Sequence, residues 1–389
     1  MKDFIRPMLY IISLIACCIE IDISVPCFPN LIEYFKTTES LAQHTISINF
    51  LGFFIGSLIV GPLSDAYGRR PIMILGNAVL MIGALCCFWA STIFSLLEAR
   101  FFQGIGASVS AVVVFAMIAD TYSGKKSAQI IGIMNAAFTC FMAISPALGC
   151  YLNQVFGWRG NYAVVGIISI FSWIAIVLAL PETLKIKKRV TVKQIKYDCF
   201  ILLKSNYFLC TSSAPSLLYA AYLSFITSAP FLYRQTLGLS LYDYAMHQVI
   251  VVSSFSIVSM LSGAILKYMT SLQCAVMGIS LSIIGVISFL LGSLVFPGAF
   301  ITTISVSVFS VGFALFYPVI FTASLSIFPS IKGSATSLIM SKRAIIIALV
   351  VFTTGHFYDG KLSTVAQIMF CVVSIAGLLM GLSLFKNKR

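Results

Sequence analysis

Charge is what this sequence lacks. Only 10% of its 389 residues are Asp, Glu, Lys or Arg, whereas a water-soluble domain carries about 25%, because its surface must face water. That scarcity excludes a soluble globular protein and makes lipid the solvent. Acids are scarcer than bases, 12 against 25. Histidine is nearly missing: His44, His247 and His356 stand at no metal-ligand spacing. The eleven cysteines are odd in number and contain no C-x-x-C pair. No metal site or disulfide framework is expected, and they read as small, polarisable packing residues. There is no G-x-x-x-x-G-K-[ST] phosphate loop, which argues against an ATP-driven pump. Nor is there a nucleophile elbow or a clustered catalytic set, which argues against the remotest alternative, an integral-membrane enzyme.

What the sequence has in abundance is apolar length: 59% hydrophobic residues and a mean hydropathy of +1.02. A helix needs roughly 20 apolar residues to cross the hydrocarbon. Twelve such windows follow one another, from 8–28, 44–63, 71–91 and 94–119 near the start to 333–355 and 363–385 at the end. The charged start Met1–Arg6 runs into the first window with no small-residue cleavage site, so it reads as a retained span. The net charge of +13 follows from loop placement and needs no nucleic acid to explain it. With the N-terminus inside, eighteen Lys and Arg fall on the cytoplasmic side and four (Lys36, Arg159, Arg234, Lys361) on the other. That bias predicts two cytoplasmic termini. The longest polar stretch, 181–205, carries seven Lys and Arg after the sixth window. The expected architecture is therefore all-α and integral to the membrane, with twelve transmembrane helices in two six-helix bundles. An N-terminal bundle of residues 1–180 and a C-terminal bundle of residues 206–389 would be joined by a basic cytoplasmic linker, 181–205.

Between the second and third windows the chain reads Gly61-Pro-Leu-Ser-Asp65-Ala-Tyr-Gly68-Arg69-Arg70-Pro71. This resembles the signature loop of the major facilitator superfamily, G-x-x-x-D-[RK]-x-G-R-[RK]. The resemblance implies the two-bundle fold and a cytosolic conformational latch built from Gly61, Asp65, Gly68, Arg69 and Arg70. Ala66 stands where the family has a basic residue, which shifts the latch onto Arg69 and Arg70. The fourth window contains Arg100-Phe-Phe-Gln103-Gly104-Ile-Gly106-Ala107, similar to the family's R-x-x-Q-G-x-G-A. An arginine there needs a partner or a water-filled cavity, or else it snorkels to the outer interface.

The first window carries Glu20-Ile-Asp22-Ile-Ser-Val-Pro26-Cys-Phe-Pro29. It resembles the D-x-x-x-P-x-x-P of drug/proton antiporters of the Bcr/CflA (bicyclomycin-resistance-like) type. Counted at 1.5 Å per residue, Asp22 and Arg100 each lie roughly 9 Å from the outer end of their spans, so the two are expected to meet. Asp22 is the candidate proton-coupling acid, with Arg100 beside it. Glu20 is a further proton-coupling candidate; it stands about 200° from Asp22 around the helix, so one of the two lines the cavity while the other meets a neighbouring helix, unless Pro26 loosens the turn. In the fifth window, Ser145-Pro146-Ala-Leu-Gly149-Cys150 partly matches the antiporter motif G-P-x-x-G-G, with Pro146 and Gly149 as the kink and close-packing residues. Gln103, Tyr219, Tyr222, Phe225 and Arg343 are the candidate lining of a substrate cavity. Lys342 and Arg343 interrupt the eleventh window. They form a cationic wall for an anionic or carboxylated substrate, or they pair and snorkel at the cytosolic mouth.

These resemblances imply a proton-coupled multidrug exporter in the inner, cytoplasmic membrane, working by alternating access as a monomer. Its partners would be a small-molecule substrate, protons and lipid. It would need no cofactor, the proton gradient being its energy source. A metabolite or amino-acid carrier of the same superfamily, running as a symporter, is the alternative.

Overall fold

The computed structural model of the chain describes residues 2–122, 124–184, 192–328 and 331–386, and among these it is helical with no strand. Of the basic residues counted above, Lys185, Lys187, Lys188, Arg189, Lys388 and Arg389 lie outside the described residues, as do the side chains of Lys2, Lys125, Lys126, Lys193, Lys196, Lys332 and Lys386. The helices of the first bundle are α1 (Lys2–Asp22), α2 (Phe28–Phe35), α3 (Glu39–Tyr67), α4 (Arg69–Trp89), α5 (Ile93–Thr121), α6 (Gly124–Phe156) and α7 (Trp158–Ala179). A short helix, α8 (Val192–Lys204), lies in the linker. The second bundle is α9 (Asn206–Phe231), α10 (Leu241–Ile265), α11 (Ser271–Val295), α12 (Ala299–Ser326), α13 (Lys332–Phe357) and α14 (Leu362–Lys386).

Among the described residues, 11 stretches are long and apolar enough to cross a bilayer, and α1 with α2 forms one of them, Arg6–Phe35. α6, at 33 residues, takes the place of the twelfth. The first span therefore ends later than the expected residue 28. Every backbone group in the hydrocarbon must be satisfied within the protein, and the helix ends show how. Thr92 caps α5 in a reciprocal box with Ser95, and Thr270 caps α11 in the same way with Gln273.

Within the first bundle α5 packs on both α3 and α4, and α7 packs on α4 and α1. The glycines of the Gln103-Gly104-Ile-Gly106 run make this possible. Gly104 lies against the Asn49 backbone of α3, and Gly106 lies against Leu80 and the Gly76 carbonyl of α4. In the second bundle α11 packs on α12, α14 on α9, and α10 on α12. The bundles meet most extensively along two pairs, α3 with α13 and α6 with α10. The α3–α13 seam is closed at both levels. Gly355 meets the Ser40 carbonyl at the face opposite the N-terminus (the far face), Ser57 and Ser341 share a hydrogen bond of 2.8 Å, and Gly61 lies against Ser337 at the N-terminal face.

The first span breaks directly after Asp22. Pro26 has no N–H to donate to the Asp22 carbonyl, so the ladder cannot continue through it, and a short 3₁₀ turn, Val25–Cys27, intervenes. The Ile23 carbonyl is satisfied from outside: Asn161 Nδ2 of α7 donates to it at 2.5 Å and to the Gly149 carbonyl at 3.1 Å. A Cβ on Gly149 would stand 2.5 Å from the same Ile23 oxygen. Gly149→Leu is therefore expected to cost about 1–3 kcal/mol through overpacking, read as a lower thermal unfolding temperature in detergent. Leu148→Ala, on the exposed face of the same helix, should shift it little.

Candidate functional site: buried charges at the seam of two bundles

The two acids of α1 part company. Glu20 turns into the first bundle, where its Oε2 lies 3.7 Å from Arg100 Nη1 with both side chains almost wholly buried. Arg100 Nη1 also donates to Gln103 Oε1 at 2.8 Å, and its guanidinium sits 5.9 Å from the ring centre of Tyr162. Asn49 Nδ2 donates to Glu20 Oε1 at 3.4 Å and to the Arg100 carbonyl at 3.2 Å. Gln103 Oε1 also accepts from the Cys87 thiol at 3.6 Å. One polar cluster thus ties α1, α3, α4, α5 and α7 together. Arg100 does not snorkel, since it has no exposed surface.

This corrects the expected Asp22–Arg100 pair. Residues 20 and 22 differ by only about 3 Å in height, so matching depth could not choose between them. Rotation about the helix axis decided it, and the Glu20 side faces α5. Two of the candidate cavity residues make contacts inside their own bundles. Gln103 is committed to Arg100 inside the first bundle. Phe225 packs on Phe289 at 5.8 Å and on Tyr233 at 6.3 Å, within the second bundle.

Asp22 faces the other way, toward the second bundle. It is 3% exposed, and its Oδ1 has no hydrogen-bond partner among the described residues. Tyr219, Tyr222 and Tyr244 lie within its electrostatic range. The Tyr222 hydroxyl, also fully buried, has no partner either. Tyr219 and Tyr222 stack at 6.4 Å, and both pack on Phe313 of α12, at 5.9 and 6.0 Å. Lys342 and Arg343 separate in turn. The Lys342 ammonium donates to Ser212 Oγ and, at 3.2 Å, to the Leu209 carbonyl, fixing α13 to α9. Arg343 Nη1 donates to Tyr317 Oη at 2.5 Å, and the guanidinium sits 5.6 Å from the Tyr219 ring centre.

At the N-terminal face the signature loop forms a compact charge cluster. Gly68 turns with φ +111°, a conformation glycine adopts freely. Arg69 Nη1 meets Asp65 at 2.5 Å and Ser64 Oγ at 2.6 Å, while its Nε meets Asp120 at 3.0 Å. Arg70 instead donates to the Val177 carbonyl at 2.9 Å. Glu182 closes the cluster. Its carboxylate accepts from the backbone N–H of Arg69 and Arg70, the first turn of α4, each at 3.1 Å. An anion there meets the positive end of the helix. Partial burial pushes the Glu182 carboxyl up, but backbone N–H groups of Leu184, Arg70, Arg69 and Thr183 outweigh it and hold it below the ordinary glutamate range.

A depressed carboxyl stabilises the fold above its unfolded pKa, about 4.3, and the contribution fades as pH falls through the lower folded value. Glu182→Gln is thus expected to lower the unfolding temperature at pH 7. The gap to wild type should close in strong acid, where both side chains are neutral. A gap independent of pH would remove the charge from this account.

Asn49, Asn161, Asp120 and Glu182 were not singled out from sequence. The two asparagines left a signal, as isolated amides in apolar runs. Asp120 and Glu182 are ordinary helix-end acids, and only the fold shows what they meet.

The sequence profile of the Major Facilitator Superfamily matches residues 10–351. The chain belongs to this superfamily. It is a multi-pass membrane transporter of small molecules and not an enzyme. Among superfamily relatives, the multidrug resistance protein MdtM of Escherichia coli K12 is 23% identical over 383 residues, 96% of this chain and 93% of the relative. The multidrug transporter MdfA of Edwardsiella ictaluri is 25% identical over 249 residues, 64% and 61% of the two chains. A D-xylose–proton symporter has the same superfamily fold, with a TM-score of 0.79 at 16% identity over 96% of both chains.

Proposed function

We propose that this chain is a proton-coupled exporter of small molecules or drugs, an antiporter of the Bcr/CflA type in the inner membrane. The observation that carries the reading is Asp22: a buried carboxylate with no cation paired to it among the described residues, at a helix break, facing the seam between the bundles. A carboxylate out of water is costly, so Asp22 takes a proton when enclosed and releases it when the seam opens to water. Glu20 does not share that task while Arg100 neutralises it. Its role is to hold α1 against α5, so that the break after Asp22 stays in register. The multidrug relatives support export of drug-like molecules.

In this proposal residues 1–180 and 206–389 rock against each other along the α3–α13 and α6–α10 pairs, and the linker 181–205 keeps them together. Both termini face the cytoplasm, as the basic bias requires. The latch of Gly61, Asp65, Gly68, Arg69 and Arg70 stabilises the state in which Gly61 lies against Ser337. The protein works as a monomer, and the proton gradient supplies the energy without a cofactor. Transport assays in everted vesicles with an acid lumen test the direction. Added substrate is expected to alkalinise the lumen as protons leave in exchange. Substrate-driven acidification would instead establish the symport alternative, a metabolite or amino-acid carrier.

A further inference from the structure

Arg343 lies eleven residues beyond the start of α13, roughly 16 Å along the helix. A cation at that depth is expensive without a counter-charge or a water-filled cavity. Its own bundle offers it no acid. From residue 206 onward the only acids are Asp243 and Asp359, both near the far face. Asp243 bonds Ser240 in the first turn of α10, and Asp359 pairs with Lys361. Elsewhere Glu20 is committed to Arg100, and Asp65 and Asp120 to Arg69. Glu182 caps the start of α4, and Asp198 accepts from Ser334 Oγ. Among the described residues, Arg343 has no acidic partner.

Its neighbours show that this is more than a side chain escaping to water. Lys342, next to it, is tied down by Ser212 and Leu209. Arg343 is held against rings: its Nη1 bonds Tyr317, its plane sits over Tyr219, and Tyr219 continues into stacked Phe313 and Phe255, 5.0 Å apart. One of five guanidinium N–H donors is used. The others form a fork suited to a carboxylate, and the half-buried side chain leaves them accessible. On the other side of the seam stands Asp22, its Oδ1 without a partner among the described residues. Tyr219 lies within electrostatic range of both charges.

We infer that the seam holds a two-ended site for aromatic zwitterions, with a carboxylate on Arg343, a flat ring against Tyr219 and Tyr222, and an ammonium on Asp22. The inference rests on the exchange reading for one clause only: an ammonium at Asp22 competes with the proton there, so binding at that end drives exchange. The carboxylate end adds selectivity that a site for lipophilic cations lacks.

The test is equilibrium binding to the full-length protein in detergent, with no gradient. Three fluorescent probes share one ring system: aminomethyl-naphthoic acid (a zwitterion), its methyl ester (a cation) and its N-acetyl derivative (an anion). Wild type is expected to bind the zwitterion about tenfold or more tighter than either analogue, the scale of one charge-assisted hydrogen-bonded contact. Arg343→Gln should bring the zwitterion down to the level of the ester and leave the ester unchanged. Asp22→Asn should bring it down to the level of the N-acetyl probe. Arg343→Lys should recover part of the preference; retained ester binding certifies that the Arg343 variants are folded, and retained binding of the N-acetyl probe certifies Asp22→Asn. A wild type that binds the zwitterion no better than the ester overturns the site, as does an Arg343→Gln protein that weakens all probes equally. If the preference holds but the zwitterion moves no protons in vesicles, the exchange reading fails while the site stands. If the ester exchanges with protons and Arg343→Gln changes nothing, the site fails while exchange stands.

Discussion

An Asp22→Asn protein is expected to fold, insert and still bind the N-acetyl probe, but to lose proton-driven transport altogether. The side chains are nearly equal in volume, so the packing against the second bundle survives. The amide cannot take up or release a proton at these pH values. Because Asp22 Oδ1 has no hydrogen-bond partner among the described residues, removing its charge relieves desolvation and breaks no pair there. Thermal stability in detergent should therefore equal or exceed that of wild type. Passive, gradient-independent exchange of one substrate for another should persist. Undiminished export driven by a pH gradient in reconstituted liposomes would take Asp22 out of the mechanism.

The second large effect belongs to Arg100. Arg100→Ala leaves the Glu20 carboxylate buried without its cation and empties the space between Gln103 and Tyr162. Breaking a buried ion pair from one side costs about 3–5 kcal/mol, a large part of the stability of a typical domain. The variant should unfold at markedly lower temperature and accumulate poorly. Adding Glu20→Gln removes the stranded charge, so the double variant should regain much of the loss. Its recovery separates charge from cavity, because the cavity persists in both. If Arg100→Ala left stability intact and abolished only transport, Arg100 would act in coupling rather than as the tie that positions α1.

The pair of predictions turns on a distinction the linear chain carried only halfway. The Gly104 and Gly106 spacing of α5 was legible as a close-packing pattern, and the fold uses both glycines, on two different neighbours. Asp22 and the Pro26 break were likewise visible, since a proline four residues after an acid frees that acid's carbonyl. The partner of Arg100 was not visible. Nor was the division of labour between Lys342 and Arg343, neighbours in sequence that the fold assigns to α9 and to an aromatic tier. In the signature loop the pattern pointed to Asp65, Arg69 and Arg70, yet the carboxylate that receives the start of α4 comes from Glu182, more than a hundred residues later.

By itself, then, the sequence determined the solvent, the succession of spans, the basic asymmetry of the loops and the membership of the superfamily. Each of these depends on composition or on distance along the chain, and in lipid a helix must satisfy its own backbone wherever it sits. Tertiary structure decided which acid is neutralised, which is left bare, and which cation faces the seam. Those outcomes depend on rotation about each helix axis and on which helix lies alongside, and neither is written in spacing along one strand of residues.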